Sequence, residues 1–316
     1  MESKLCDLFG IKYPIMQGGM QWLATPEFAA AVSNAGALGT LNSSLSKSKE
    51  EFVEMIRRTR SLTKNPFAVN ISMLPNQPAG ELTLDFLSAV AEEKVDVVEL
   101  SGTDPTPFVP ALKNAGIKVI HKSPAVRFAK KAEAAGVDAV TIVGFECGGH
   151  PGMDDVTTLV LIPSVVDAVS IPVIAGGGIC DSRSYAAVRC LGAEGAVMGT
   201  RFVATKECVI HPNFKELILK ATERDTGIVQ RSIKNAARNY KNTAILKLMD
   251  MEANGKPTLE EILAIVSGKR QKECYETGDI DSGAIPMGEC AGRIHDILTV
   301  KEVIDEIVTG AAKLLK

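Results

Sequence analysis

Residues 172–201 read PVIAGGGICDSRSYAAVRCLGAEGAVMGTR. Two short apolar runs, Pro172–Ala175 and Gly195–Met198, each lead into glycine, and a helical stretch starting around Asp181-Ser182 lies between them. Apolar runs of this length joined through a helix are the mark of parallel strands with a crossover connection. The same unit recurs toward the N-terminus. Strands are expected at Pro14–Gln17, Leu38–Leu41, Phe67–Ile71, Val95–Leu100, Lys118–His121 and Ala139–Val143. Helices are expected between them. Thr25-Pro26-Glu27 supplies a capping residue and then proline at the first helical position. Ser48 to Arg60 and Ala125 to Ala135 space their apolar residues by three and four. Gly116 and Gly136 stand where a helix must stop before the next strand.

Eight such strands suit a closed (β/α)8 TIM barrel. An open doubly wound sheet would carry a GxGxxG after its first strand, and Gly18-Gly19 ends this one without the rest of that fingerprint. After about Arg201 the rhythm changes. Residues from roughly His211 to Gly268 read as helices with no strands between them, rich in Lys and Arg. The expected organisation is a barrel core over residues 1–210 and a helical subdomain over 211–275, inserted after strand eight above the barrel mouth. Residues 276–316 form a glycine-rich loop and a final amphipathic helix, about Val300 to Leu315, that closes the barrel wall.

The chain has 316 residues, 46% hydrophobic and 23% charged, with a formal net charge of -3. This balance favours neither nucleic acid nor an anionic membrane as a partner. No long apolar run suggests a transmembrane span, and the first residues carry no apolar signal core. A cytoplasmic protein acting on a small molecule is expected, and a homodimer is compatible with the sequence. Seven cysteines without a CxxC pair fit reduced thiols, and four histidines without HExxH argue against a catalytic metal.

In a barrel of this kind the chemistry lies at the C-terminal ends of the strands. Gly176-Gly177-Gly178 after strand seven and Gly199-Thr200 after strand eight let backbone N–H groups approach an anion. Together they form the expected phosphate site, with the helix starting around Asp181-Ser182 beside it. Gly148-Gly149-His150-Pro151-Gly152 puts a histidine at the end of strand six, where its pKa suits proton transfer. Lys122 either meets a phosphate, leans over a cofactor ring or lies at a solvated rim. Asn70 and Gln17 are amides at strand ends, suited to a polar ring edge. Met20 and Trp22 line a pocket or belong to the core. His121, His211 and His295 are read as structural. The basic stretch after residue 211 is either a solvated face or a docking surface for an anionic partner such as a dinucleotide or a coenzyme A thioester.

Four motifs in this order resemble the nitronate monooxygenase (2-nitropropane dioxygenase) family over nearly the whole chain. They are Pro14-Ile15-Met16-Gln17-Gly18-Gly19-Met20, Gly144-Phe145-Glu146-Cys147-Gly148-Gly149-His150-Pro151-Gly152, Ile174-Ala175-Gly176-Gly177-Gly178 and Met198-Gly199-Thr200-Arg201-Phe202. The family also contains NAD(P)H:quinone reductases and FMN-dependent enoyl-acyl-carrier-protein reductases. The loop around Cys147, with Cys208 to Pro212, looks most like the quinone reductase branch; the carrier-protein reductases would have serine in place of Cys147.

The resemblance implies non-covalent FMN. Its phosphate would lie on Gly176, Gly177, Gly178, Gly199 and Thr200. Its ring would lie by Gly19, Met20, Gln21, Asn70, Ser72, Lys122, Gly148 and Gly149, and His150 matches the family's active-site histidine. The leading expectation is NAD(P)H-dependent reduction of a quinone or similar acceptor. Oxidation of nitronates with oxygen is the first alternative and reduction of an enoyl thioester the second. A non-catalytic phosphate-binding barrel would not need His150.

Overall fold

The structure is a computed structural model that describes residues 2–73 and 79–316. Eight parallel strands form the barrel: β1 (Ile15–Gln17), β2 (Gly39–Asn42), β3 (Phe67–Ser72), β4 (Val97–Ser101), β5 (Lys118–Ser123), β6 (Ala139–Val143), β7 (Val173–Gly176) and β8 (Gly195–Met198). Each pairs with its neighbour in sequence, and β1 pairs with β8. A parallel bridge from Met16 to Leu38 joins β1 to β2 and completes the ring. All eight expected strands are present, with no end shifted by more than two residues.

A ring of apolar side chains, one from each strand or the residue just before it, fills the lower barrel: Met16, Leu38, Ala68, Val97, Ile120, Ala139, Ile174 and Val197. Leu5 and Phe9 of the helix Lys4–Phe9 pack into this ring from below. The N-terminal end of the barrel is therefore plugged with hydrocarbon, and polar chemistry is confined to the opposite mouth.

Thr25 caps the first barrel helix, Pro26–Asn34, as the sequence implied: its hydroxyl accepts from the Phe28 N–H at 3.3 Å. Gly116 and Gly136 take positive φ values of 81° and 90°, which release the chain from helix to strand. The last helix, Val300–Leu314, packs between Ser182–Cys190 and Pro26–Asn34 and so occupies the eighth place in the outer ring. A Cβ on Gly310 would lie 2.5 Å from the Ser182 Cβ, so glycine permits that helix crossing.

The region after residue 211 departs from the expectation of helices alone. Between the helices Pro212–Lys220 and Thr243–Asn254 runs an antiparallel hairpin, β9 (Thr226–Val229) and β10 (Ala237–Tyr240). Thr226-Gly227-Ile228-Val229 is a short β-favouring run, but the cations around it suggested a charged helix face. Gln230 and Lys234 turn the chain with φ of 66° and 57°. Val229, Ile245, Leu248, Ile262, Ile265 and Ala284 form a small core separate from the barrel's. Among the described residues no helix is long and apolar enough to cross a membrane.

Candidate active site

Four loops meet at the barrel mouth, following β6, β7 and β8 and spanning Met287 to Glu289. The Gly288 N–H donates to Thr200 Oγ1 at 3.0 Å, and the Glu289 N–H donates to the Glu146 carbonyl at 3.0 Å. A Cβ on Gly148 would lie 2.8 Å from the Gly288 nitrogen, so this glycine allows two backbones to touch. Glu146 is tied in place by Thr158, whose N–H and hydroxyl each reach Oε2 at 2.9 Å.

Every glycine of the expected phosphate site can be asked whether the fold alone requires it. Gly176 is required: a Cβ there would lie 2.6 Å from Val197 Cγ1. Gly177 and Gly178 have φ of 94° and 74°, which also demand glycine. Gly199 is different. Its φ is -111°, and a Cβ would meet nothing nearer than Met20 Sδ at 3.9 Å. Neither conformation nor packing explains glycine at that position, whereas close approach of a ligand does. Among the described residues, the N–H groups of Gly177, Gly178 and Gly199 donate to no protein acceptor. Unspent backbone donors converging at a strand end are the chemistry an anion needs. The Thr200 hydroxyl accepts from Gly288 and keeps its own hydrogen to donate.

One part of the expected phosphate site is corrected. The start of the helix Ser182–Cys190 is taken by its own cap: Asp181 Oδ1 accepts from the N–H groups of Arg183 at 3.1 Å and Ser184 at 2.8 Å. Asp181 also pairs with Arg293 at 2.8 Å. A protein carboxylate thus satisfies that helix end, and a phosphate would rest on the glycine loops without it.

His150 stands in the mouth with an exposed edge, while protein surrounds it on its other sides. Burial and, secondarily, the nearby Lys122 ammonium push its pKa down to about 4. The solvent-facing edge tempers the size of this shift, but both causes act in one direction and keep the imidazole neutral at pH 7. Its loop is pinned by β10: Gly149 and Arg238 exchange both backbone hydrogen bonds, at 3.0 and 2.6 Å. Lys122, half-buried on β5, also faces Cys147. Burial drives the Cys147 thiol up to about 11 against the pull of Lys122 and Arg238, so it remains a thiol and not a nucleophile.

On the β1 side, Gly19 presses against Asn70, since a Cβ would lie 2.4 Å from Asn70 Cγ. Asn70 accepts from Ser72 Oγ at 2.9 Å and Asn42 Nδ2 at 3.2 Å, and donates to Glu99 Oε2 at 2.7 Å. Met20 lies beside Gly199, and the exposed Gln21 lies beside Gly268 and Trp22. Gln17, the last residue of β1, is fully buried; its Oε1 accepts from the Thr40 N–H at 3.3 Å, its carbonyl accepts from the Thr40 hydroxyl at 2.7 Å, and its Nε2 has no partner among the described residues. His121 is structural, as expected: its Nε2 donates to the Thr103 carbonyl at 3.0 Å, which leaves Nδ1 to accept from Ser123. His211 is structural too, accepting from the Asn213 N–H as a helix cap.

Arg238, read in the sequence as one of many surface cations, is only 3% exposed. Its guanidinium stacks on the Phe145 ring at 4.5 Å, donates to the Phe145 carbonyl at 3.1 Å and pairs with Glu289 at 2.8 Å. It clamps the hairpin to the His150 loop. Arg238→Leu is expected to cost about 1–3 kcal/mol, because it leaves the Phe145 carbonyl and the Thr226 hydroxyl without their buried partner, while Glu289, 32% exposed, can turn to water. Chemical denaturation checks this; a loss below about 0.5 kcal/mol, the usual surface value, would show that the clamp is idle. No residue spacing marks Arg238 in the sequence, since its partners come from distant loops.

The sequence profile of the nitronate monooxygenase family matches residues 2–310. The structure of FabK from Thermotoga maritima superposes with a TM-score of 0.92 at 38% identity, covering 100% of this chain and 97% of that one. The (3aS,4S,5R,7aS)-5-hydroxy-7a-methyl-1-oxo-octahydro-1H-indene-4-carboxyl-CoA dehydrogenase of Rhodococcus jostii is 31% identical over 99% of this chain and 96% of its own length. A probable nitronate monooxygenase of Staphylococcus aureus is 30% identical over 80% of this chain and 82% of its own. Carried by a match that spans the barrel, the His150 loop and the region after residue 211 alike, the conclusion is that this chain belongs to the nitronate monooxygenase family of oxidoreductases.

Proposed function

We propose that this protein is an FMN-dependent reductase that draws on NAD(P)H and acts on a double bond conjugated to a carbonyl, an enoyl thioester before a quinone. The observation that carries this reading is the position of His150: exposed at the barrel mouth after β6, beside Lys122, on a loop held by the pairing of Gly149 with Arg238. FMN in this site would supply two-electron chemistry between a nicotinamide and an acceptor. Its phosphate would take the free N–H groups of Gly177, Gly178 and Gly199 and the Thr200 hydroxyl. On the family resemblance, the ring would lie by Gly19, Met20, Gln21, Asn70, Ser72, Lys122 and Gly148.

A neutral imidazole offers an N–H donor without surrendering a proton. Such a donor suits a carbonyl oxygen that gains negative charge as its conjugated bond is reduced. Lys122 adds positive potential to the same region. The sequence favours a quinone as acceptor; the thioester is preferred because the Rhodococcus relative is named for a carboxyl-CoA substrate. A second reading, oxidation of a nitronate, draws on the Staphylococcus relative's name and on the same neutral imidazole, whose N–H can donate to a nitronate oxygen.

Anaerobic mixing of the FMN-loaded protein with NADH or NADPH tests the proposal. Fast bleaching of the flavin's visible absorbance, followed by recovery on adding crotonyl-CoA, is the expected result. Recovery with menadione but not crotonyl-CoA would make the acceptor a quinone. Bleaching by a nitronate and by neither nucleotide would overturn the reductase reading.

A further inference from the structure

Glu99 is a carboxyl group inside the barrel, on a strand whose other buried side chains are apolar. It is 1% exposed, and among the described residues no Lys, Arg or His lies within 4.0 Å of it. Two neutral donors hold it: Asn70 Nδ2 from β3 at 2.7 Å and Thr141 Oγ1 from β6 at 2.9 Å. Burying such a group without a cation is costly, and a valine or isoleucine would serve the barrel better. The fold therefore does not explain it.

What Glu99 does explain is the orientation of Asn70. A carboxylate oxygen at 2.7 Å tolerates an amide NH2 and repels an amide oxygen. Asn70 Nδ2 must then face Glu99, and Oδ1 must face Asn42 and Ser72, whose two hydrogen bonds fill its lone pairs. Asn42 is also spent, giving Nδ2 to the Gly19 carbonyl at 2.9 Å and taking the Ser44 N–H on Oδ1 at 2.8 Å. Along Asn42, Asn70, Glu99 and Thr141, one amide hydrogen has no partner: the second hydrogen on Asn70 Nδ2. It belongs to the residue against which Gly19 packs, at the end of the barrel where the ring is expected.

We propose that Glu99 is a positioning residue, which fixes the Asn70 amide so that an N–H, and not a carbonyl, is offered to the flavin ring. This rests on the FMN reading above. A donor at a ring acceptor stabilises the reduced flavin and raises its potential, and the carboxylate polarises the amide that gives it. Glu99 itself touches neither ring nor substrate.

The test measures FMN affinity by titration and the flavin midpoint potential, in four proteins: wild type, Glu99→Gln, Asn70→Ala and the double variant. Glu99→Gln no longer dictates the amide's orientation. It is expected to weaken FMN binding about tenfold, the worth of one hydrogen bond, and to lower the potential. In the Asn70→Ala background the same substitution is expected to change neither quantity. Equal effects in both backgrounds, or a raised potential in Glu99→Gln, would overturn the proposal and leave Glu99 acting as a buried charge alone. Should Glu99→Gln fail to fold, Glu99→Asp decides: it keeps the charge but withdraws from Asn70. Positioning then predicts weaker binding and a lower potential, and charge alone predicts wild-type values. A wild-type protein that binds no FMN would defeat the underlying reading, whereas FMN binding with additive variants would defeat only the role of Glu99.

Discussion

His150→Ala is expected to lower kcat about 100- to 1,000-fold while FMN binding stays within a few-fold of wild type. The magnitude is that of removing one well-placed donor or acceptor from a developing charge. FMN binding should survive because the free N–H groups of Gly177, Gly178 and Gly199 lie on other strand ends, and because the His150 loop is held by the backbone pairing of Gly149 with Arg238. The pH profile adds a second readout. An ordinary histidine changes charge near pH 6.5. Burial and Lys122 lower this one toward about 4, so the neutral form persists as the pH falls through 6.5. The kcat of the wild type is expected to stay level from pH 8 to 6 and to decline only as the pH approaches that lower value. A variant with full kcat/KM, or a wild-type profile that breaks near 6.5, would remove His150 or its neutral state from the mechanism.

The barrel was legible because its information is local. A four-residue apolar run such as Ala175 with its neighbours, a glycine after it and a helix between runs are short-range signals, and all eight strands lie where they place them. The hairpin was not legible. The strand Ala237–Tyr240 buries Ala237, Arg238 and Asn239 in succession, so a charge and an amide lie inside and the alternation by which strands are recognised is missing. At the site, His150 and the glycines stood out as polar or flexible residues at strand ends. Arg238, Gly288 and Thr158 did not, because each acts through a contact closed by the fold across many residues. Glu99 lay in plain sight as a lone acid within Val97-Val98-Glu99-Leu100. Its inward direction follows from strand alternation, but its purpose needed Asn70 on the neighbouring strand. The helix cap at Asp181 shows the converse error: an acid at a helix start fills the anion site that the same helix would otherwise offer.

Gly199 gives the sharpest test of the phosphate site, because its substitutions should move stability and ligand affinity in opposite directions. Gly177→Glu would be uninformative: at φ 94°, with a Cβ 3.0 Å from the Gly144 carbonyl, any side chain strains the fold. Gly199 has an ordinary φ of -111° and free space around its Cα. Replacing such a glycine by alanine restricts the unfolded chain without straining the folded one, which stabilises by about 0.4–1 kcal/mol. The FMN-free Gly199→Ala protein is therefore expected to melt slightly above wild type while binding FMN more weakly. Gly199→Asp adds a negative charge as well. Two unit charges about 5 Å apart repel by on the order of 3 kcal/mol at an effective dielectric near 20, and solvent at the mouth reduces this. Added to the lost approach distance, the expected result is FMN affinity at least about 100-fold weaker in a protein that still folds. Purification without yellow colour and a melting temperature within a few degrees of wild type would be its signature. If Gly199→Asp binds FMN normally, the phosphate lies elsewhere; if Gly199→Ala melts well below wild type, the glycine serves the fold and the open space beside it has no ligand to explain it.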